Sequence, residues 1–222
     1  MKIQGSVAFV TGANRGLGRQ FAEQLLARGA KVYAGARNPE TVTLDGVIPV
    51  RIDITDPASV QAAAELAADT TILVNNAGTT SYNGLLDGPM DDIRAQMESH
   101  FFGTLNVTRA FVPHLVANAP GAILNIASIL SWKHIPGIGA YAAAKAALWA
   151  QTDAVREELA PKGVAVTGLY VGFMDTDMAA GVDAEKSDPA HVAAAALDGV
   201  EAGVAEVLGD EQTRAVKAGL SA

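Results

Sequence analysis

The chain has 222 residues, half of them apolar, with a formal charge of −8 and no cysteine. An acidic surface repels polyanions, which excludes nucleic acid and anionic membrane as principal partners. Without cysteine there is no disulfide framework, thiolate nucleophile or thiolate-held metal, a composition that fits a reducing compartment and a cytoplasmic protein.

Met1–Gly5 passes directly into a strand-like run, whereas a signal peptide needs an apolar stretch of about 7–15 residues and a cleavage site. No apolar run comes near the roughly 20 residues of a membrane-spanning helix, so the chain reads as soluble. Apolar, β-branched runs predict strands at Ser6–Thr11, Lys31–Ala36, Val47–Asp53, Thr71–Asn75, Gly121–Ala127, Val164–Tyr170 and Ala205–Gly209. Helical patterns lie between them at Gly16–Arg28, Pro57–Ala68, Asp91–Ala117, Ala140–Ala160, Pro189–Ala202 and Glu211–Leu220. Asp56 and Asp188 each stand before a proline, where the acid caps and the proline loses nothing. Gly29, and Pro161 with Gly163, mark helix ends. Most strands are apolar throughout, as strands covered on both faces are. The expected fold is α/β, a doubly wound parallel sheet of about seven strands with helices on both faces, in one domain over residues 1–222. The small, polar stretch Asp175–Asp188 reads as a mobile loop beside whatever site exists.

The first strand runs into Thr11-Gly12-Ala13-Asn14-Arg15-Gly16-Leu17-Gly18, and a helix opens out of it. Its spacing is neither G-x-G-x-x-G nor that of a loop ending Gly-Lys-Ser/Thr. Taken alone it fits a ligand-free turn or a phosphate site, in which glycines admit the ligand and N–H groups at the helix start attract it. The fourth strand ends Val74-Asn75-Asn76-Ala77-Gly78 and the fifth is followed by Ser128. Tyr141 and Lys145, four residues apart on a predicted helix, share one face. A free tyrosine titrates near 10, and a neighbouring cation favours its phenolate. Tyr141 is therefore a candidate proton donor and acceptor, with Ser128 placed to hold the substrate oxygen.

This ordered set, the TGxxxGxG turn, Asn75-Asn76-Ala77-Gly78, Ser128 and Tyr141-x-x-x-Lys145, resembles the short-chain dehydrogenase/reductase family along essentially the whole chain. The resemblance implies a Rossmann-like, single dinucleotide-binding domain that also carries the catalytic site. It implies an oxidoreductase that reversibly reduces the carbonyl of a small ketone or aldehyde to an alcohol, with Ser128, Tyr141 and Lys145 catalytic. Cofactor choice depends on the end of the second strand, where a carboxylate would bind the ribose hydroxyls of NAD. That strand ends Gly35-Ala36-Arg37, with no acid and with a guanidinium suited to phosphate. By resemblance Arg37 and Arg15 face the 2′-phosphate, so the expected cofactor is NADP(H). Gly12, Asn14, Gly16, Leu17 and Gly18 are then the phosphate turn, and Asp53 and Ile54 contact adenine. Asn75, Ala77 and Gly78 pass the adenosine ribose, with a structural role equally open for Asn76. Tyr141 and Lys145 reach the nicotinamide side, Lys145 holding the ribose, and Gly172, Phe173 and Thr176 flank the carboxamide. Relatives assemble as tetramers or dimers through the helices predicted at Asp91–Ala117 and Ala140–Ala160, so a homo-oligomer is expected.

Two departures stand out. Val171 replaces the proline of the family's Pro-Gly-x-x-x-Thr segment, and His100 stands where relatives carry an asparagine assigned to a water-mediated proton relay to the lysine. His100 either holds that relay or is a helix histidine of structural value only. His114, His134 and His191 show no metal-ligand spacing, and no metal is expected. Leu130, Trp132 and His134 are candidates for the substrate wall. Two other readings compete: an NADP(H)-sensing regulator without turnover, against which an intact Ser-Tyr-Lys set argues, and an epimerase or dehydratase on the same scaffold.

Overall fold

The computed structural model describes residues 1–220; Ser221 and Ala222, at the end of the expected domain, lie outside them. Seven parallel strands form one sheet: β1 (Val7–Thr11), β2 (Lys31–Ala36), β3 (Ile48–Arg51), β4 (Ile72–Asn75), β5 (Gly121–Ile126), β6 (Val164–Tyr170) and β7 (Glu206–Leu208). Their order is β3-β2-β1-β4-β5-β6-β7, so the winding reverses between β1 and β4. This is the doubly wound, Rossmann-like arrangement that the strand-helix alternation predicts. Strand ends are one or two residues shorter than expected at β3 and β7.

Alternation along each strand divides the core into two layers. Ala8 and Val10 of β1, Ile72 and Val74 of β4, and Ala122 and Leu124 of β5 face one side, where α1 (Gly16–Ala27) and α6 (Pro189–Ala202) cover them with Phe21, Leu25, Val192 and Leu197. Phe9, Leu73 and Ile123 face the other side, beneath α2 (Pro57–Leu66), α4 (Thr104–Ala117) and α5 (Gly139–Leu159). Phe111 of α4 meets Phe9 with ring centroids 4.6 Å apart. Both faces are apolar because both are covered, which is why the strands read as unbroken apolar runs. Asp56 and Asp188 cap as expected, accepting from the backbone N–H of Ala58 at 3.0 Å and Ala190 at 2.8 Å. Asp210 caps α7 (Glu211–Gly219) in the same way, accepting from Thr213.

The helix predicted over 91–117 is not continuous. It begins as α3 (Met90–Met97), widens into a π-helical turn over Glu98–Gly103, and resumes as α4. A π-turn inserts a residue and re-aims the side chains around it, which periodicity does not reveal. Here it turns Ser99 and His100 toward the sheet's C-terminal edge.

A buried polar chain ties the centre together. Asn75 Nδ2 donates to Thr108 Oγ1 at 3.1 Å and Asn125 Oδ1 at 2.8 Å, and Asn125 Nδ2 donates to Thr152 Oγ1 at 3.0 Å. It links β4, β5, α4 and α5. Asn125→Ala leaves Asn75 and Thr152 without these partners, so urea unfolding of the variant is expected to show a loss of about 1–3 kcal/mol.

Candidate active site

The site is built where the winding reverses, at the C-terminal ends of β1 and β4, where α/β sheets of this kind hold ligands. Thr11 ends β1, and its Oγ1 accepts from the backbone N–H of Asn76 and of Ala77, each at 3.0 Å. Asn76 answers by donating through Nδ2 to the carbonyls of Thr11 at 2.9 Å and Gly12 at 3.2 Å. The two strand ends are thus clamped side by side. Gly12 and Gly16 hold left-handed φ values of +67° and +53°, and a Cβ on Gly18 would overlap the Gly12 carbonyl and the Asn76 amide. Helix α1 therefore starts hard against the strand. Arg15 at its N-cap supplies no side-chain cap, so first-turn N–H groups stay open to the cleft above.

That cleft holds about 670 Å³ and runs along the strand ends. At one end lie Arg15 and Arg37, beside Asn14, Asn38 and Thr41; in its middle lie Asp53, Ile54, Ala77 and Gly78; at the other end lie Ser128, Tyr141, Lys145, Gly172 and Thr176. Most residues expected at a cofactor site are thereby brought onto one surface. Two are not. Asn75 is buried in the polar chain described above and does not line the cleft; its neighbour Asn76 does. Phe173 faces a second, smaller pocket of about 120 Å³, which also touches Ser128, Tyr141, Gly172 and Thr176. Leu130 lines this pocket, whereas Trp132 stacks on Tyr170 at 4.3 Å and His134 is exposed away from it.

The family model described as short chain dehydrogenase matches residues 6–187. The chain belongs to the short-chain dehydrogenase family. A short-chain dehydrogenase from Burkholderia cenocepacia, solved in complex with NADP, is 42% identical with a TM-score of 0.96, covering 100% of this chain and 95% of its own. One from Burkholderia phymatum in complex with NAD is 26% identical with a TM-score of 0.87, covering 98% and 93%. By sequence, the 3-oxoacyl-acyl-carrier-protein reductase FabG of Salmonella typhimurium is 34% identical over 188 residues, covering 80% of this chain and 77% of that protein.

Within this short-chain dehydrogenase, α5 delivers both Tyr141 and Lys145, and Ser128 follows β5. Lys145 Nζ donates to the Ile126 carbonyl at 2.7 Å and lies 5.4 Å from the Tyr141 ring centroid. Burial lowers its pKa from the ordinary lysine value to about 7. Burial likewise pushes Tyr141 above the ordinary phenol value, opposed by a hydrogen bond with Ser128 and reinforced by Tyr82. The sequence expectation of a more easily ionised Tyr141 counted the nearby lysine and an oxidised nicotinamide ring, and it could not count the desolvation seen in the protein alone. Thr55 donates to Asp53 Oδ1 from its hydroxyl at 2.7 Å and its N–H at 3.0 Å, holding that carboxyl below the usual range.

His100 packs edge-on to Tyr141 with centroids 5.1 Å apart, and its Nε2 sits 2.6 Å from the Thr79 carbonyl oxygen. A carbonyl only accepts, so Nε2 carries the proton. Burial, and then the positive Lys145, hold the imidazole well below its ordinary pKa, so the ring is neutral at neutral pH. Space for it exists because Gly78 has no side chain: a Cβ there would collide with the ring.

The stretch read from sequence as a loop beside the site forms a flap, whose closure and contacts the sequence did not show. Phe173 to Ser187 folds back on itself, closed at its base by Ser187 N–H to Phe173 carbonyl at 2.8 Å and Asp175 N–H to Ser187 carbonyl at 3.0 Å. Its tip contains a turn at Asp177–Ala179. Asp177 pairs with Arg15 at 3.3 Å across the cleft, and the Tyr82 hydroxyl donates to the Met178 carbonyl at 3.3 Å. Tyr82 lines the small pocket, and a lone aromatic in the polar run Ser81-Tyr82-Asn83-Gly84 is the signal that could have found it.

The lysine has a consequence for stability. Its folded pKa lies below its unfolded value, so between about pH 7 and 10 the unfolded chain binds more protons and stability rises with pH. Thermal unfolding of the ligand-free protein at low salt should show that rise, and Lys145→Met should flatten it relative to the parent.

Proposed function

We propose that this short-chain dehydrogenase reduces the carbonyl of a small molecule to an alcohol with NADPH, and runs the reverse reaction when the alcohol is supplied with NADP. One observation carries the reading: Ser128 and Tyr141 line both the long cleft and the small pocket, at the point where the two meet. A dinucleotide in the cleft and a carbonyl compound in the pocket would have their reacting ends at this junction.

The cleft suits a dinucleotide. Left-handed glycines, the room left by Gly18 and open helix N–H groups make a cradle for a pyrophosphate. Arg15 and Arg37 at the far end suit an additional phosphate, and no carboxylate ends β2 to repel it. When bound, the reduced nicotinamide supplies the hydride. Tyr141 supplies the proton: desolvation holds its hydroxyl as the neutral phenol, the form a reduction needs, and it transfers that proton to the carbonyl oxygen as charge develops there. Ser128 donates a hydrogen bond to the same oxygen and fixes it beside the phenol. Lys145, anchored by the Ile126 carbonyl, keeps further N–H bonds to direct at ribose hydroxyls and at the proton path to Tyr141. His100, neutral and tied to Thr79, acts as a wedge that sets the Tyr141 ring, and not as a group that charges near neutral pH.

Replacing Tyr141 by Phe removes the transferable proton and little else. Turnover of a ketone or aldehyde, followed by loss of NADPH absorbance at 340 nm, should fall by at least about a hundredfold, while NADPH affinity measured by fluorescence stays within a few-fold of the parent. A Tyr141→Phe enzyme of near-parental rate defeats the reading.

Cofactor choice has its own test. NADPH should bind the parent more tightly than NADH, and Arg37→Asp should invert that order. Equal affinities in the parent would show that the arginines do not select.

A further inference from the structure

The small pocket beside Tyr141 is mostly apolar, walled by Ile129, Leu130, Ile138 and Met174. Lys133 and Gln212 also line it, and neither lines the long cleft. They come from distant parts of the chain. Lys133 follows the short turn after Ser128, and Gln212 sits in the first turn of α7.

Helix α7 is held in place firmly enough to make Gln212 part of the wall. Asp210 accepts from the Gly172 N–H at 2.6 Å with one oxygen and from the Thr213 N–H at 2.7 Å with the other. Val216 packs on the Ile129, Leu130 and Ile138 cluster, and Lys217 lies over the Trp132 ring at 4.4 Å. Gly172 leaves room for the arrangement, since a Cβ on it would stand 3.3 Å from Gln212 Oε1.

Several charged groups near the pocket are already paired. Lys217 pairs with Glu206 at 2.8 Å, Glu211 with Arg214 at 2.8 Å and Asp177 with Arg15 at 3.3 Å. Both Asp210 oxygens are occupied by backbone donors. Among the described residues, neither the Lys133 ammonium nor the Gln212 amide has a side-chain hydrogen-bond or ion-pair partner. A chain of charge −8 thus presents an exposed, unpaired cation and an exposed, unpaired amide at the rim of an apolar reaction pocket. A carboxylate offers four lone-pair sites and is the group that a cation and an amide donor both recognise.

We propose that Lys133 and Gln212 recognise a carboxylate on the substrate, remote from the carbonyl held at Ser128 and Tyr141, so that the enzyme reduces oxo acids to hydroxy acids. The inference rests on the reductase reading above. Its chemistry balances as oxo acid plus NADPH plus a proton giving hydroxy acid plus NADP, with hydride to the carbonyl carbon and the Tyr141 proton to its oxygen. The aliphatic body between the two ends contacts the apolar wall.

The test compares levulinate and its longer straight-chain homologues with their methyl esters, using NADPH. The acids are expected to exceed their esters in kcat/KM by about tenfold or more, the range of a charge-assisted hydrogen bond, with the difference in KM. Lys133→Met should erase that preference, Lys133→Arg should keep it, Gln212→Leu should reduce it, and rising potassium chloride should weaken it. Calorimetry on the NADP-bound protein gives a readout free of turnover: pentanoate should bind more tightly than pentanamide, and Lys133→Met should remove the difference. Tyr141-dependent reduction of esters and acids at equal kcat/KM, or pentanoate no tighter than pentanamide, overturns the carboxylate proposal while leaving the reductase reading in place. Tight pentanoate binding with no Tyr141-dependent reduction of any compound overturns the reductase reading, and with it the oxo-acid substrate.

Discussion

The close approach of α1 to the ends of β1 and β4 is the constraint on which the remaining architecture depends. It requires Gly18 to have no side chain, because the Gly12 carbonyl and the Asn76 amide occupy the space a methyl would take. The same contact lets Asn76 and Thr11 exchange hydrogen bonds between the two strands, which locks the reversal point of the sheet. Once that edge is set, α1 aims its first N–H groups along the cleft, β4 carries Ala77 and Gly78 to its middle, and β5 carries Ser128 to its reacting end. One steric condition therefore shapes the phosphate cradle and spaces it from the reacting end.

At that far end, chemistry is obtained against stability. Lys145 and His100 are buried and Tyr141 is half-buried, and desolvation is the largest influence on each of their titrations. Lysine loses hydration and keeps the Ile126 carbonyl; histidine loses hydration and keeps the Thr79 carbonyl. Each retains one anchoring hydrogen bond, enough to orient it, and each lines the cleft. Buried polar groups of this kind are destabilising unless fully paired, which is a reason to find them concentrated at a reacting centre.

The flap connects the two halves of the site. Its tip reaches the glycine turn through Arg15 and Asp177 and reaches the pocket wall through Tyr82 and Met178, so one segment touches the cleft and the pocket together. The first contact joins well-exposed groups and is weak in salt. Tyr82 approaches Tyr141 closely enough to oppose its ionisation.

Several features of this protein were determined by local sequence. Strand-helix alternation and unbroken apolar strands specify a parallel sheet covered on both sides, since period and burial are written into neighbouring residues. Caps at Asp56 and Asp188 follow from the same local chemistry. The glycine turn and the Ser128, Tyr141 and Lys145 spacing pointed to one end of the sheet because each motif sits directly after a strand or on one helix face. Tertiary structure alone decided the rest. The π-turn that presents His100, the withdrawal of Asn75 into a polar chain and the recruitment of Tyr82 and Gln212 to the pocket all depend on contacts between residues far apart in the chain. The direction of the Tyr141 shift belongs with them. A lysine four residues away is visible in the sequence, but desolvation is set by everything packed around the phenol, and here it is the largest influence.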